Sequence, residues 1–214
     1  MSVRAPFEIE LDDGSALRGV VIEGGAMPPM LLVHDRDGDL DEFAQVPELL
    51  AANGGTVIAV DLPGHGLSDG EGRPAEIVGV IASLAAALSD DGRPVGLMAS
   101  GRSCTLGMIL GEAHGFRVQV LINPILDEEI LACGTREYCQ RMVLHSEGEQ
   151  LVGTATKTFY SPLIGEKLLL HSALVADGPT SIVDHSVIAD QVELFLNRYL
   201  FSSKSVEVRN GDGG

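Results

Sequence analysis

The sequence is poor in cysteine, aromatic residues and positive charge. Its 214 residues include three cysteines, no tryptophan, and 14 Lys and Arg against 31 Asp and Glu, which gives a net charge of −17. Three cysteines without a CxxC pair fit neither a disulfide framework nor a zinc site, so we expect reduced thiols and a cytoplasmic protein. The negative field repels phosphate polymers, which argues against nucleic acid as a partner.

Long apolar runs are also missing. No stretch reaches the length of about 18 consecutive apolar residues that a bilayer-spanning helix requires. The opening segment has neither the basic start nor the apolar core of a signal peptide. We therefore expect no membrane insertion.

What the sequence does contain is typical of one α/β domain. Hydrophobic residues make up 45% of the chain, which is enough for a single buried core, and 26 residues are glycine. Short apolar runs bounded by Gly, Pro and Asp alternate with helical patterns, which predicts a mostly parallel sheet with helices on both faces. We expect one domain over residues 1–200 and a flexible tail over 201–214.

Individual elements can be placed along the chain from these patterns. Strands are predicted near residues 30–33, 56–60, 95–98 and 118–122, after an opening hairpin over 7–11 and 16–23. Helices are predicted over 41–53, 74–89, 104–113, 127–145 and 186–200.

The C-terminal third is ambiguous. The run of three leucines at 168–170 could form a strand, yet Ser161-Pro162 followed by apolar positions at helical spacing favours a capped helix over 161–174. This helix predicts a truncated or irregular end of the sheet, with a small lid segment near 126–160.

Three motifs resemble the α/β-hydrolase family. They are Leu31-Leu32-Val33-His34, the run from Asp61 to Gly70 that reads DLPGHGLSDG, and Val120-Leu121-Ile122-Asn123-Pro124. The resemblance covers about residues 16–125 and implies acyl or ester metabolism. It implies that His65, inside the second motif, shapes a turn and carries no chemistry.

The family's nucleophile stands in a small-x-Ser-x-small turn between a strand and a helix. Here residues 99–103 read ASGRS, which places Gly101, without a side chain, at the nucleophile position. A shift of one residue makes Ser100 the nucleophile, but then bulky Arg102 stands where a small residue is needed. A shift of two makes it Arg102. The sequence favours Gly101.

The oxyanion site that the resemblance implies is also altered, because Asp35 replaces the usual glycine after His34. Two like charges about 4 Å apart cost on the order of 4 kcal/mol at an effective dielectric of about 20, so a carboxylate opposes an oxyanion. Arginines could turn this place into an anion-binding pocket, or they could simply pair with nearby aspartates. The predicted ligand pocket comprises His34, Asp35, Arg36, Gly101, Arg102 and Ser103.

The remaining triad members would be Asp177 or Asp184 and His185, with Ser100 as the nucleophile if the protein is active. A helix over 161–174 makes His185 an ordinary helix-start residue, more than about 8 Å from Gly101. His145 and His171 are expected at the surface and at the edge of the core.

The acidic segment 35–42 suggests calcium, but its glycine falls too early for an EF-hand and a solvated loop is the better interpretation. No metal and no cofactor are expected.

The leading hypothesis is an α/β-hydrolase-like protein without an orthodox serine nucleophile. It would bind a small ligand or acyl substrate, assist a partner enzyme, or perform non-hydrolytic acid–base chemistry with His34, Asp35 or Arg102. One alternative is an active esterase or thioesterase using Ser100 and His185, and another is an interaction module or homodimer.

Overall fold

The computed structural model describes residues 4–11, 13–146 and 156–201. Eight strands form a single sheet. They are β1 (Arg4–Glu10), β2 (Ala16–Ile22), β3 (Met27–Val33), β4 (Gly55–Val60), β5 (Val95–Ser100), β6 (Phe116–Ile122), β7 (Gln140–His145) and β8 (Lys167–His171).

The strand order across the sheet is β1-β2-β4-β3-β5-β6-β7-β8. β1 and β2 form an antiparallel hairpin, and β2 pairs antiparallel with β4. The other pairings are parallel, so the carboxyl ends of β3 to β8 lie along one edge of the sheet. The predicted hairpin and mostly parallel sheet are confirmed.

Helices connect these strands. They are α1 (Val46–Ala51), α2 (Pro74–Leu88), α3 (Leu106–Ile109), α4 (Glu128–Leu131), α5 (Ser181–Asp184) and α6 (Ser186–Leu196). Shorter 3₁₀ turns cover Leu40–Phe43, Gly101–Thr105, Glu112–His114, Ala173–Val175 and Gly178–Thr180, and π turns cover Thr156–Tyr160 and Asn197–Phe201. No helix in the described ranges combines the length and the apolar character needed to cross a bilayer.

Two apolar layers cover the two faces of the sheet. One joins alternate residues of the central strands, such as Leu31 and Leu97, to Ile81 of α2. The other joins their neighbours, such as Leu32, to Val192 of α6, and it also includes residues of α1 and α5. Because successive strand residues point to opposite faces, the continuously apolar central strands require helices on both sides.

The predicted strands near 30–33, 56–60, 95–98 and 118–122 are confirmed as β3, β4, β5 and β6. The closing helix is confirmed as α6 followed by a π turn. The segment predicted as one helix over 41–53 is divided, because Ala44 adopts φ 45° between a 3₁₀ turn and α1. The helix predicted over 104–113 is likewise reduced to α3 with a 3₁₀ turn on each side.

Two helix predictions in the C-terminal third are wrong. Residues 127–145 contain only the one-turn α4 and then the strand β7, and residues 161–174 contain the strand β8. The apolar spacing of 161–174 fits both periods, and parallel pairing with the buried β7 selects the extended form. The sheet therefore keeps its last two strands.

The predicted lid near 126–160 lies partly in residues 147–155, outside the described residues, and β7 occupies the sheet within that range. Nearly all of the predicted tail also lies outside them.

Candidate functional site

The sharp turn after the central strand β5 is made at Gly101. Ser100, the last strand residue, has extended backbone at φ −123°, whereas Gly101 adopts φ +52° and begins the 3₁₀ turn Gly101–Thr105. Left-handed backbone of this kind is the conformation that glycine adopts without strain. The bend thus lies where the resemblance places the nucleophile, and the residue there has no side chain.

The carboxylate of Asp35 fills the space that an elbow side chain would need. A Cβ atom built on Gly101 would overlap both the carboxyl carbon and the oxygens of Asp35. The Asp35 Oδ1 atom accepts a hydrogen bond of 2.9 Å from the backbone N–H of Arg102. An acidic group from the loop after β3 therefore occupies the space beside Gly101.

Glu42 forms a second layer behind this carboxylate. Its Oε2 accepts from the backbone N–H of Asp35 at 3.1 Å, and its Oε1 accepts a short hydrogen bond from the hydroxyl of Ser100. Burial raises the pKa of the Glu42 carboxyl above its ordinary value. Asp35 and Glu42 thus face the elbow, which corrects the expectation that segment 35–42 is simply a solvated loop.

These contacts occupy the donors that would form an oxyanion hole. In α/β-hydrolases that hole uses the backbone N–H after the nucleophile and an N–H from the loop after the third strand. The corresponding groups here are the N–H of Arg102 and the N–H of Asp35, and each donates to a carboxylate of the protein itself. A developing oxyanion would have to displace those carboxylates.

His34 supports the loop and has no free ring nitrogen. Its Nδ1 donates to the Asp35 carbonyl at 2.6 Å, and its Nε2 accepts from the Leu62 N–H at 2.9 Å. Burial lowers the pKa of the ring, which keeps His34 neutral. The acid–base role considered for His34 therefore lacks an available nitrogen.

The two arginines of the predicted pocket line a groove of about 400 Å³ beside the elbow. Arg36 pairs with Asp127 at 2.7 Å, and Arg102 lies 3.6 Å from Asp37. The groove is lined by Arg36, Asp37, Arg102, Ile125, Leu126, Asp127, Glu128 and Glu129. In the structure both arginines therefore lie in ion pairs with nearby acidic residues.

Ser103, the last residue of the predicted pocket, is fully buried in the turn.

Asp127 fixes one wall of this groove. Its Oδ1 accepts from the backbone N–H groups of Glu129 and Ile130 at the start of α4. Burial alone would raise the pKa of the Asp127 carboxyl, but these hydrogen bonds and the ion pair with Arg36 lower it. The carboxylate stays ionised and joins α4 to the loop after β3.

The three predicted triad residues have different hydrogen-bond partners. The hydroxyl of Ser100 donates to Glu42, and His185 lies between α5 and α6, where its backbone N–H donates to Ser181. The backbone carbonyl of Asp177 accepts from Thr180. Within the described part of the chain, no hydrogen bond joins Ser100, Asp177 and His185, and their catalytic role stays a prediction.

Sequence reasoning missed a pair of histidines on the same edge of the sheet. His145 ends β7 and His171 ends β8, and the two are direct neighbours in the parallel register. Their ring centroids lie 5.7 Å apart. The signal was present, because each histidine follows a run of three apolar residues, but β7 and β8 were assigned to helices.

Comparison with known proteins gives similarity in structure but not in sequence. No family model matches the sequence, and no curated protein matches it significantly. An esterase of Pyrococcus furiosus superposes with a TM-score of 0.73 at 17% identity, covering 93% of this chain and 92% of the esterase. A thioesterase domain from the curacin biosynthetic pathway gives a TM-score of 0.63 at 13% identity, covering 87% and 99%.

The mouse α/β hydrolase domain-containing protein 10 gives a TM-score of 0.65 at 12% identity, covering 89% of this chain and 99% of the mouse protein. At such identities the likeness concerns the fold alone. The chain has the α/β-hydrolase fold, as the sequence motifs predicted.

Proposed function

We propose that this protein binds a small molecule of acyl or ester type, or a small anion, without serine-type hydrolysis. One observation carries this proposal, the Asp35 carboxylate that occupies the elbow space above Gly101. A hydrolase of this fold needs a nucleophile at that place and free backbone donors beside it. Here Gly101 at the turn has no side chain, and the backbone N–H groups of Arg102 and Asp35 donate to Asp35 and Glu42.

In this proposal Ser100 does not act as the nucleophile. Ser100 is 4% exposed, and its hydroxyl donates to Glu42, which lies behind the elbow. A serine nucleophile needs a neutral histidine within about 2.6–3.2 Å to take its proton. Within the described residues the hydroxyl of Ser100 has the carboxylate of Glu42, not a histidine, as its hydrogen-bond partner.

Hydrolysis of p-nitrophenyl acetate and butyrate tests the proposal directly. We expect rates indistinguishable between the wild-type protein and Ser100→Ala, and no labelling by a serine-directed fluorophosphonate. Robust turnover that is abolished by both Ser100→Ala and His185→Ala would instead support the active-esterase alternative.

Ligand binding is tested on the groove beside the elbow. Short-chain carboxylates and acyl thioesters are expected to raise the melting temperature, because a ligand at a hundredfold its Kd stabilises by about 2.7 kcal/mol. Arg102→Gln should weaken this effect, since the Arg102 side chain is half exposed in the groove. Arg117→Gln, on the exposed surface of β6, is the matched control.

A homodimer is the second candidate, favoured by the exposed edge of the sheet. Leu168 of the edge strand β8 is 47% exposed and Leu194 of the adjacent α6 is 65% exposed. Sedimentation velocity of wild type and Leu168→Lys distinguishes a dimer through this edge from a monomer.

A cytoplasmic location is part of the same proposal, supported by three free cysteines, of which Cys104 and Cys139 are buried.

A further inference from the structure

We propose that His145 and His171 bind a divalent transition-metal ion at the carboxyl edge of the sheet. The two residues end adjacent parallel strands and are paired in register. Side chains at such positions project from the same face of the sheet, about 4.8 Å apart along the hydrogen-bonding direction. Their rings meet edge to face, with centroids 5.7 Å apart and planes inclined by 60°.

The His171 ring has a nitrogen without a hydrogen-bond partner, and a hydrogen bond at Nδ1 of His145 places the lone pair of that ring on Nε2. His145 is 94% buried, since its exposed fraction is 6%, and its Nδ1 donates to the Ser146 carbonyl at 2.7 Å. This hydrogen bond leaves the lone pair on Nε2, and it is the arrangement in which metal-binding histidines are usually held. The Nδ1 atom of His171 is buried and has no hydrogen-bond partner, a cost that a bound ion would remove.

The backbone around the pair is held in place by Asn123. Its Oδ1 accepts from the Ser146 N–H at 2.8 Å, and its Nδ2 donates to the Val175 carbonyl at 2.8 Å. The N–H of Ser172 donates to the His145 carbonyl at 3.0 Å. Ser146 and Ser172, the residues directly after the two histidines, are thus each held by a backbone hydrogen bond.

The other close pair of histidine rings does not offer this chemistry. His34 and His65 have ring centroids 5.5 Å apart, but every ring nitrogen faces a backbone group. The unpartnered Nδ1 of His171 therefore distinguishes this pair from the pair beside the elbow.

The ligand set selects the kind of ion. Imidazole suits Zn²⁺, Ni²⁺ and Cu²⁺, whereas Mg²⁺ and Ca²⁺ prefer oxygen ligands. Within the described ranges no group of three His, Cys, Asp or Glu could hold a metal, so solvent or a bound anion would complete the coordination. The net charge of −17 adds a general attraction for cations.

Calorimetric titration of tag-free protein, stripped with a chelator, tests the site with Cu²⁺, Ni²⁺, Zn²⁺ and Mg²⁺. We expect one transition-metal ion per chain, Cu²⁺ bound most tightly, and no response to Mg²⁺. His145→Ala and His171→Ala should each weaken Zn²⁺ binding by about tenfold or more. His114→Gln removes an imidazole that precedes β6, at the opposite edge, and should leave binding unchanged.

A second measurement needs no variant. In the wild-type protein, ¹⁵N ring resonances of His145 and His171 should shift on addition of Zn²⁺, while those of the other histidines stay. Absence of Zn²⁺ binding, or binding that shifts other histidines and survives both alanine variants, would overturn the proposal.

Discussion

Gly101 and Asp35 share one small volume at the end of β5. A serine at position 101 would need left-handed backbone and would overlap the Asp35 carboxylate. We therefore predict that Gly101→Ser lowers the free energy of unfolding by about 1–3 kcal/mol, the usual cost of backbone strain of this kind, plus the steric term. Urea denaturation measures it.

The steric part is separable by a double-mutant cycle. After Asp35→Gly has emptied the elbow, Gly101→Ser should cost less than in the wild-type background, with a coupling energy of about 0.5–3 kcal/mol. Strict additivity of the two substitutions would show that the residues do not compete for space. Gly14→Ser, at a turn with positive φ and open space around it, controls for backbone strain alone.

Glu42 gives the elbow a pH dependence of known sign. Its folded-state pKa is raised, so its contribution to stability is fully present below the ordinary glutamate pKa of about 4.3 and is lost as pH rises through the raised value. Glu42→Gln does not titrate. The stability of the wild type relative to this variant should therefore fall as the pH is raised above the ordinary glutamate pKa.

Urea denaturation across such a rise in pH measures the difference, and Glu166→Gln on the exposed surface is the control. Parallel stability curves for wild type and Glu42→Gln would contradict a buried, neutral-favouring Glu42.

The place of the sharp turn could be predicted from the sequence, but not the group that lies beside it. The spacing of small residues indicated a turn over residues 99–103, and the structure makes it at Gly101. The hydrogen bond between the Asp35 carboxylate and the Arg102 N–H joins residues 67 positions apart, and local patterns carry no such information. The acidic segment looked solvated because charges in a loop usually are.

At the scale of elements, α4 depends on a single capping residue. Asp127→Asn keeps an acceptor for the Glu129 and Ile130 N–H groups but loses the ion pair with Arg36. We predict a loss of about 1–3 kcal/mol at neutral pH, as for hydrogen bonds to charged groups. Glu129→Gln is the control, since its carboxylate is 75% exposed and 3.7 Å from Arg36.

The sign on the acid side follows from the lowered pKa of Asp127. The contribution of the Asp127 carboxylate to the free energy of unfolding is present above the ordinary aspartate pKa of about 3.9. It is lost as the pH falls through the lower folded-state pKa. Thermal unfolding of wild type and Asp127→Asn should therefore converge below about pH 4. A difference that persists unchanged in acid would refute the ionic part of this account.

Strands and helices could be predicted from the sequence where the spacing of apolar residues fitted only one of the two. β3 and β5 are continuous apolar runs bounded by loop residues, and no helical spacing competes with them. The segment holding β8 has three leucines that satisfy both a strand and a helical face. Parallel pairing with β7 decides between them, and that pairing is a property of the assembled sheet.

At the scale of the whole molecule, the net charge of −17 opposes compaction through self-repulsion. Salt screens such charges, with a Debye length of about 3 Å at 1 M. We predict that raising NaCl from about 0.05 to 1 M increases the melting temperature at pH 7 by a few degrees. Near the sequence pI of about 4.5 the same increase in salt should have little effect, which separates screening from general salt effects.

The α/β-hydrolase fold was predictable from three motifs, although the resemblance covers only about residues 16–125. They mark the ends of strands that every layer of the domain packs against. Activity was not predictable to the same extent, because it depends on whether a few atoms at the elbow are free.

The shared volume of Asp35 and Gly101 also constrains how this sequence can change over generations. A lineage that gains a serine at position 101 while Asp35 is present passes through a destabilised form, whereas loss of the acidic side chain first opens the space. The two positions should therefore covary among relatives, a hydroxyl at the elbow appearing with a small residue after His34. Any gain of a serine at position 101 is expected to follow that order of substitution.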